Sequence, residues 1–254
     1  MPPGHKVVVI TGSTGGIGLA VAREAMARGK DVVLNGRTSD KLDAVVAELS
    51  GGPGRVVGSA GDLRVPERVD ALVATAIDRF GRVDLWINNA AAVFFAPAER
   101  ISPNGFATIM QTNVDAAFHC CRAVLPVMRE QGEGAVLNIS SIAAYVPHPG
   151  AAHYAASKAA LNSLTQTLAV EWAPYGIQVN GIALGPVLTA ASRFSDAAQR
   201  SAMEARIPAG RVPEASEVAT IVLDLAAITS TYFTGETVRV DGGFRSVMGS
   251  PAGE

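Results

Sequence analysis

The run VVVITGSTGGIG at residues 7–18 constrains this chain more than any other stretch. Four apolar residues end in glycines at Gly12, Gly16 and Gly18, and an amphipathic stretch begins at once. A strand that turns this tightly into a helix has three uses for glycine. The first permits the turn, the second lets the backbone approach a pyrophosphate, and the third lets the helix pack close to the sheet. The freed N–H groups and the helix dipole then face an anion. Glycine-rich turns are common, but one placed between a first strand and its helix reads as a dinucleotide site. Ser13, Thr14 and Ile17 complete the expected phosphate-binding set with the three glycines.

The same strand-to-helix plan recurs along the rest of the chain. Residues 6–11, 31–35, 55–58, 83–88, 135–139, 177–182 and 237–240 read as strands, and most are continuous apolar runs rather than alternating ones. Continuous runs mark strands buried on both faces. Helical patterns occupy 16–28, 39–49, 66–80, 105–130, 154–173 and 215–225 between them. The expected fold is therefore α/β: a Rossmann-type doubly wound parallel sheet of about seven strands with helices on both faces. No repeat or linker divides the chain, so residues 1–254 read as one dinucleotide-binding domain. The strand-poor stretch 185–212 reads as a substrate lid.

Composition narrows the function classes. Lys and Arg number 21 against 23 Asp and Glu, and no basic stripe stands out, which argues against nucleic acid. The two cysteines, Cys120 and Cys121, are adjacent and are no disulfide scaffold, so a reducing compartment fits. No apolar run reaches the ~18 residues of a membrane span, and the N-terminus is no signal peptide. We expect a cytoplasmic protein with no membrane partner.

Two further places carry chemistry. At the end of the second strand, where a carboxylate would bond both ribose hydroxyls of NAD, the chain has Gly36 followed by Arg37. An unopposed guanidinium suits a 2′-phosphate, so NADP(H) is expected over NAD(H). In HYAASKAALNSL, Tyr154 and Lys158 stand four apart and share one helix face. The ammonium is expected to lower the phenol's pKa towards neutrality. Ser141, at a predicted strand end, can hydrogen-bond a substrate oxygen that gains charge.

These motifs, with TGxxxGxG at Gly12–Gly18, Asp62-Leu63, Asn88-Asn89-Ala90 and the closing TGETVRVDGGF, resemble the classical short-chain dehydrogenase/reductase family over nearly the whole chain. The resemblance implies Tyr154 as general acid/base, Ser141 orienting the carbonyl, and Lys158 on the nicotinamide ribose. Asn113 would hold a water-linked proton relay. It implies Asp62 and Leu63 at the adenine, Asn89 and Ala90 beside the adenosine, and Gly185, Pro186, Val187 and Thr189 around the carboxamide. It also implies a homotetramer or homodimer, with the helices around 110–131 and 154–173 at one interface. Phe118, Cys121 and Leu125, and Leu161, Leu164 and Leu168, form the apolar faces these helices would present. The expected reaction is NADP(H)-dependent reduction of a carbonyl on an apolar small molecule. Val93, Phe94, Phe95, Ala143, Ala144, Val146, Leu188, Phe194 and Met203 are expected to line its pocket, with Arg193 and Arg206 as lid cations. Two alternatives stand beside it: reduction of a dienoyl or enoyl thioester, since NNAAAVFFAPAERISPNGF resembles that branch of the family, and a non-catalytic NADP(H)-binding regulator. No cluster suggests a metal.

Overall fold

The computed structural model describes residues 6–190, 192 and 196–244. Seven parallel strands form one sheet in the order β3-β2-β1-β4-β5-β6-β7. They are β1 (Val7–Ile10), β2 (Asp31–Gly36), β3 (Val56–Ala60), β4 (Leu85–Asn88), β5 (Gly134–Ser141), β6 (Ile177–Leu184) and β7 (Thr237–Val240). The helices are α1 (Gly16–Ala27), α2 (Ser39–Leu49), α3 (Pro66–Phe80), α4 (Pro103–Met110), α5 (Ala116–Gln131), α6 (Ala152–Trp172), α7 (Ala197–Glu204) and α8 (Ala215–Ala226). The chain winds outward from β1 to β3, then returns to place β4 on the other side of β1. Ligands of such sheets bind where the winding reverses, outside the carboxyl ends of the strands.

The apolar runs divide their side chains between two layers. Val8, Ile10, Leu34, Ile87 and Ile182 pack with Val21, Ala22 and Met26 of α1 and Val218 and Val222 of α8. Val9, Val33, Trp86 and Val179 point the other way, onto Leu72 of α3, Cys120, Cys121 and Val124 of α5, and Trp172 of α6. Both faces are covered, which is why the strands did not alternate. A third, small cluster holds the late segment: Ile142, Ile207, Val212 and Phe244, with Val146, Leu188 and Met203 against it.

A chain of buried amides crosses the second layer. Trp86 Nε1 donates to Asn88 Oδ1 at 2.9 Å, and Asn88 Nδ2 donates to Asn138 Oδ1 at 2.8 Å. Asn138 Nδ2 then donates to Thr165 Oγ1 at 2.8 Å, which ties β4 and β5 to α6.

Three sequence expectations need correction. The helix expected at 105–130 begins at Pro103, behind a Ser102 cap that accepts from the Gly105 N–H, and is interrupted by a π-turn at Gln111–Asp115. A π-turn keeps the chain helical on both sides, and no Pro or Gly marks this one, so the stretch read as one helix. Strands β5 and β6 run on to Ser141 and Leu184, so Ser141 ends a strand inside the sheet. The third, helix faces that fit either assembly or packing on the sheet, divides between the two: Cys121, Leu161 and Leu168 lie in the protein's interior, while Phe118 is 42% exposed. Parallel sheets draw helix faces inward first, and only what is left can meet a partner.

Candidate active site

The loop after β1 is shaped by close approaches. Gly12 and Gly16 have φ of 61° and 55°, a left-handed region that glycine enters without strain. A Cβ on Gly12 would lie 2.8 Å from Ala90 Cα, and one on Gly18 would lie 2.5 Å from Asn89 Nδ2. Asn89 Nδ2 holds the turn by donating to the carbonyls of Thr11 and Gly12 at 2.9 and 3.0 Å. The Asn89 and Ala90 N–H groups donate to Thr11 Oγ1. Ser13 faces the sheet, not the crevice: its buried hydroxyl accepts the Asn35 N–H at 3.0 Å. Ile17 packs on the first layer. The start of α1 has no side-chain cap and no acid in its first turn, so its first N–H groups remain available to an anion.

Beside this loop, where the resemblance implies adenosine, lies a cavity of about 510 Å³ lined by Thr14, Gly36, Arg37, Asp62, Arg64 and Asn89 among others. A Cβ on Gly36 would collide with Thr14 Cγ2, so the place of the missing acid is filled by a neighbour's methyl group. Asp62 is paired with Arg64 at 2.5 Å. That hydrogen bond, with the charges of Arg64 and Arg37, holds its carboxyl below the ordinary range. Leu63 is 5% exposed and sits in the second layer, so its main role here is packing. Two residues escaped the sequence reading. Asn35, whose amide bonds Gly12, Ser59 and Gly61, supports the loop from below. Arg64 adds a second guanidinium to the wall, and the triplet DLR after β3 was its only signal.

The reacting residues converge where β5 meets α6. Tyr154 lies in the first turn of α6 and lines one cavity with Ser141 at the end of β5. Lys158, one turn later and 3% exposed, reaches back to β5, where Nζ donates to the Ile139 carbonyl at 2.8 Å. Burial lowers the ammonium to about 8. Burial also raises the phenol, and the Ser141 hydrogen bond only partly opposes this. The phenol's net direction is thus upward, set by burial, where the sequence predicts a lowering; Lys158 Nζ stands 5.7 Å from the tyrosine ring centroid. Asn113 lies in the π-turn, 1% exposed. Its Oδ1 accepts the Ala92 N–H at 2.7 Å, and its Nδ2 donates to the Ala92 carbonyl and to Ser157 Oγ. Ser157 in turn donates to the Tyr154 carbonyl, so Asn113 links the loop after β4 to the tyrosine's turn.

Beside Ser141 and Tyr154 opens a cavity of about 580 Å³ walled mainly by Val93, Phe95, Ile142, Val146, Met203 and Phe244. Of the expected pocket residues, Phe94 turns away and packs on His153, with ring centroids 4.1 Å apart. Leu188 faces a neighbouring cavity with Thr14, Gly16 and Thr189. Phe194 and Arg193 lie outside the described residues. Gly185 and Pro186 border the substrate cavity, and a Cβ on Gly185 would lie 2.9 Å from Asp241 Cα. Val187 is buried in the first layer. The Thr189 methyl faces Gly16, 3.9 Å from where a Cβ would stand.

A nicotinamide dinucleotide fits these residues on two observations: the glycine cradle that any Cβ at Gly12 or Gly18 would fill, and the buried Lys158 ammonium, which has three donors and one protein acceptor among the described residues. Among the described residues no group of three or more His, Cys, Asp or Glu could hold a metal, and no helix is long and apolar enough to cross a membrane.

Residues 6–200 match the family model for short chain dehydrogenases. The chain is 37% identical over 253 residues to 3beta-hydroxysteroid dehydrogenase 1 of Eggerthella lenta, covering 98% of this chain and 97% of the relative. It is also 37% identical over 244 residues to glucose 1-dehydrogenase of Gluconobacter oxydans, covering 94% and 91%. The crystal structure of a short chain dehydrogenase from Bacillus anthracis superposes with a TM-score of 0.85 at 34% identity, over 94% of this chain and 96% of that one.

Proposed function

The chain belongs to the short-chain dehydrogenase family, whose members are oxidoreductases of hydroxyl and carbonyl groups with a nicotinamide cofactor, and from that premise we propose that it is an NADPH-dependent reductase of apolar ketones with Tyr154 as proton donor. The observation that carries this reading is that Ser141 and Tyr154 line one largely apolar cavity, with the Lys158 ammonium buried beside them.

Relatives of equal identity bear names for a steroid and for glucose, so overall similarity leaves the substrate open and the wall must be read directly. That wall is mainly Val93, Phe95, Ile142, Val146, Met203 and Phe244, with Ser141, Tyr154, His148, Ser192 and Arg206 as its polar members, a balance that favours an apolar body over a sugar. The NADPH preference is supported by Gly36 with Thr14 packed over it, and by Arg37 and Arg64 on the same cavity. With no acid at that strand end, a 2′-phosphate meets the Arg37 guanidinium, while Arg64 is paired with Asp62 on the same wall.

When bound, the nicotinamide would supply the reducing equivalent as a hydride, held by the loop at Gly12, Thr14, Gly16 and Gly18, by Lys158 and by Gly185, Pro186, Val187 and Thr189. Ser141 donates a hydrogen bond to the carbonyl oxygen and Tyr154 gives it the phenolic proton. A tyrosine raised by burial stays protonated near neutrality, which suits a donor in the direction of reduction. The Lys158 ammonium then stabilises the phenolate left behind. Asn113 keeps the Ala92 loop and the Tyr154 turn in register for this.

We also propose a cytoplasmic homotetramer or homodimer. Val170 on α6, 77% exposed, and Phe106 and Phe118 on α4 and α5 offer apolar surface for it. Light scattering at the mass of one chain would remove the assembly.

The test is cofactor oxidation over medium-length ketones, glucose, a 3-oxoacyl thioester and a conjugated dienoyl thioester, each with NADPH and with NADH. Ketone turnover with NADPH is expected, falling about 10²- to 10⁴-fold in Tyr154→Phe. Loss of the diene with the carbonyl retained would replace carbonyl reduction by thioester reduction. Tight NADPH binding without any turnover would leave a binding protein.

A further inference from the structure

The substrate cavity has an apolar wall, but its charge is not neutral. Among the described residues none that lines it is an Asp or Glu, while Arg206 and His148 both border it, in a chain whose acids outnumber its bases. Arg206 follows α7 in the lid. Its backbone N–H donates to the Met203 carbonyl at 2.9 Å, and the next residue, Ile207, is buried in the third cluster, so the Arg206 backbone is anchored. Its guanidinium lies over the Phe244 ring, 5.2 Å from the centroid, and has no carboxylate partner among the described residues. The lid's other described arginine near this cluster shows the contrast. Arg211 makes two hydrogen bonds to Glu217, at 2.6 and 2.7 Å, and is neutralised by it. A cation seated on an aromatic face keeps its hydrogen-bond donors free at the edge of that ring, where they are available to a ligand.

We infer that the substrate carries an anionic group beside its apolar body, and that Arg206 receives that group at the exposed edge of the cavity while the carbonyl lies at Ser141 and Tyr154. The inference rests on the ketone-reduction reading and adds a substrate class to it: amphipathic oxo compounds bearing a carboxylate or a phosphate. A guanidinium engages either oxyanion with paired, charge-assisted hydrogen bonds. His148, half-buried and stacked on Phe95 at 5.7 Å, lies on the same rim and adds no negative charge to it. The apolar body would pack on Phe95, Val146 and Met203, so that charge and carbonyl together fix its direction in the cavity.

Three compounds separate the possible sources: two saturated ketones of equal chain length, one ending in methyl and one in carboxylate, and a 3-oxoacyl-coenzyme A, whose anion is carrier phosphate. The wild-type kcat/KM ratio of charged to neutral ketone is expected to fall on the order of tenfold in Arg206→Gln, through KM, to recover in part in Arg206→Lys, and to invert in Arg206→Glu. A change confined to the thioester assigns the site to carrier phosphate; a change with the keto acid assigns it to a substrate carboxylate. Equal ratios in wild type and Arg206→Gln for both the keto acid and the thioester, each against the neutral ketone, overturn the proposal. Calorimetric binding of a medium-chain saturated carboxylate to the NADP⁺-loaded protein tests the same site without turnover. Weaker binding in Arg206→Gln with no ketone reduced by either protein would keep the anion site and sink the reductase reading, whereas reduction with equal binding would do the reverse.

Discussion

The two ends of the site are built from different materials. The cofactor end is backbone held by amides: Gly12 and Gly18 accept no Cβ, and Asn35 and Asn89 hydrogen-bond the loop from two sides. The substrate end is a four-residue apolar cluster, Ile142, Ile207, Val212 and Phe244, with three partly buried neighbours. Geometry at the first end is set by covalent and hydrogen-bond constraints that tolerate few residues. At the second it is set by packing, which many apolar side chains can satisfy. The difference explains how one scaffold keeps its cofactor while its relatives carry names for compounds as unlike as a steroid and glucose.

The packing of the second region can be weighed against the sheet that carries both by truncating one isoleucine in each. Ile182 is fully buried in the first layer of the sheet, and Ile207 is 5% exposed in the lid cluster. Denaturant unfolding of Ile182→Ala should show a loss of roughly 3–4 kcal/mol, and that of Ile207→Ala about 1–2 kcal/mol, with KM rising in the second alone. Equal losses would make the lid part of the main core. The cofactor end is sharpened by Gly36→Asp. Its carboxylate repels a 2′-phosphate, so NADPH should lose affinity relative to NADH by on the order of tenfold. Because the new Cβ meets Thr14 Cγ2, the single variant should weaken both cofactors, and Thr14→Ser, which removes that methyl, should restore NADH. A double variant that still prefers NADPH would put the discrimination in Arg37 and Arg64 alone.

The smallest effect belongs to His153, between the two regions. It is fully buried against Phe94, both ring nitrogens lack a partner among the described residues, and burial lowers its pKa. The folded state therefore resists protonation more than the unfolded chain does. Its contribution is complete above about pH 6.5 and is lost as pH falls towards the folded value, by at most about 1.4 kcal/mol per pH unit. His153→Phe should flatten unfolding free energy between pH 7 and 5, and an unchanged slope would assign the acid sensitivity elsewhere.

The sheet was readable in the sequence because burial on both faces writes itself as unbroken runs such as VVVI and DVVLN. The glycine loop and the Tyr154–Lys158 spacing were readable because each is local, within one turn of chain. What escaped depends on partners distant in sequence. Lys158 finds Ile139 only once α6 lies on β5, and the burial that raises the neighbouring phenol is likewise made by tertiary packing. Arg64 gained meaning only when β2 and β3 brought it to the cavity of Arg37. Phe94 looked like a pocket residue because its neighbours are; a loop without periodicity does not tell which of three apolar side chains turns inward.

The amide chain through Asn88 and Asn138 has a consequence for assembly of the sheet itself. These two residues are direct partners in the parallel register of β4 and β5, and both are buried. A slip of one residue would send one amide to the opposite, wholly apolar layer and leave both without partners. Val, Ile and Leu tolerate such a slip, since one greasy neighbour resembles another. The amides do not, so they act as an alignment key. Parallel strands distant in sequence form late and slowly; here a pairing across the middle of the molecule is also one that rejects a misaligned partner, and the site at its carboxyl end inherits that alignment.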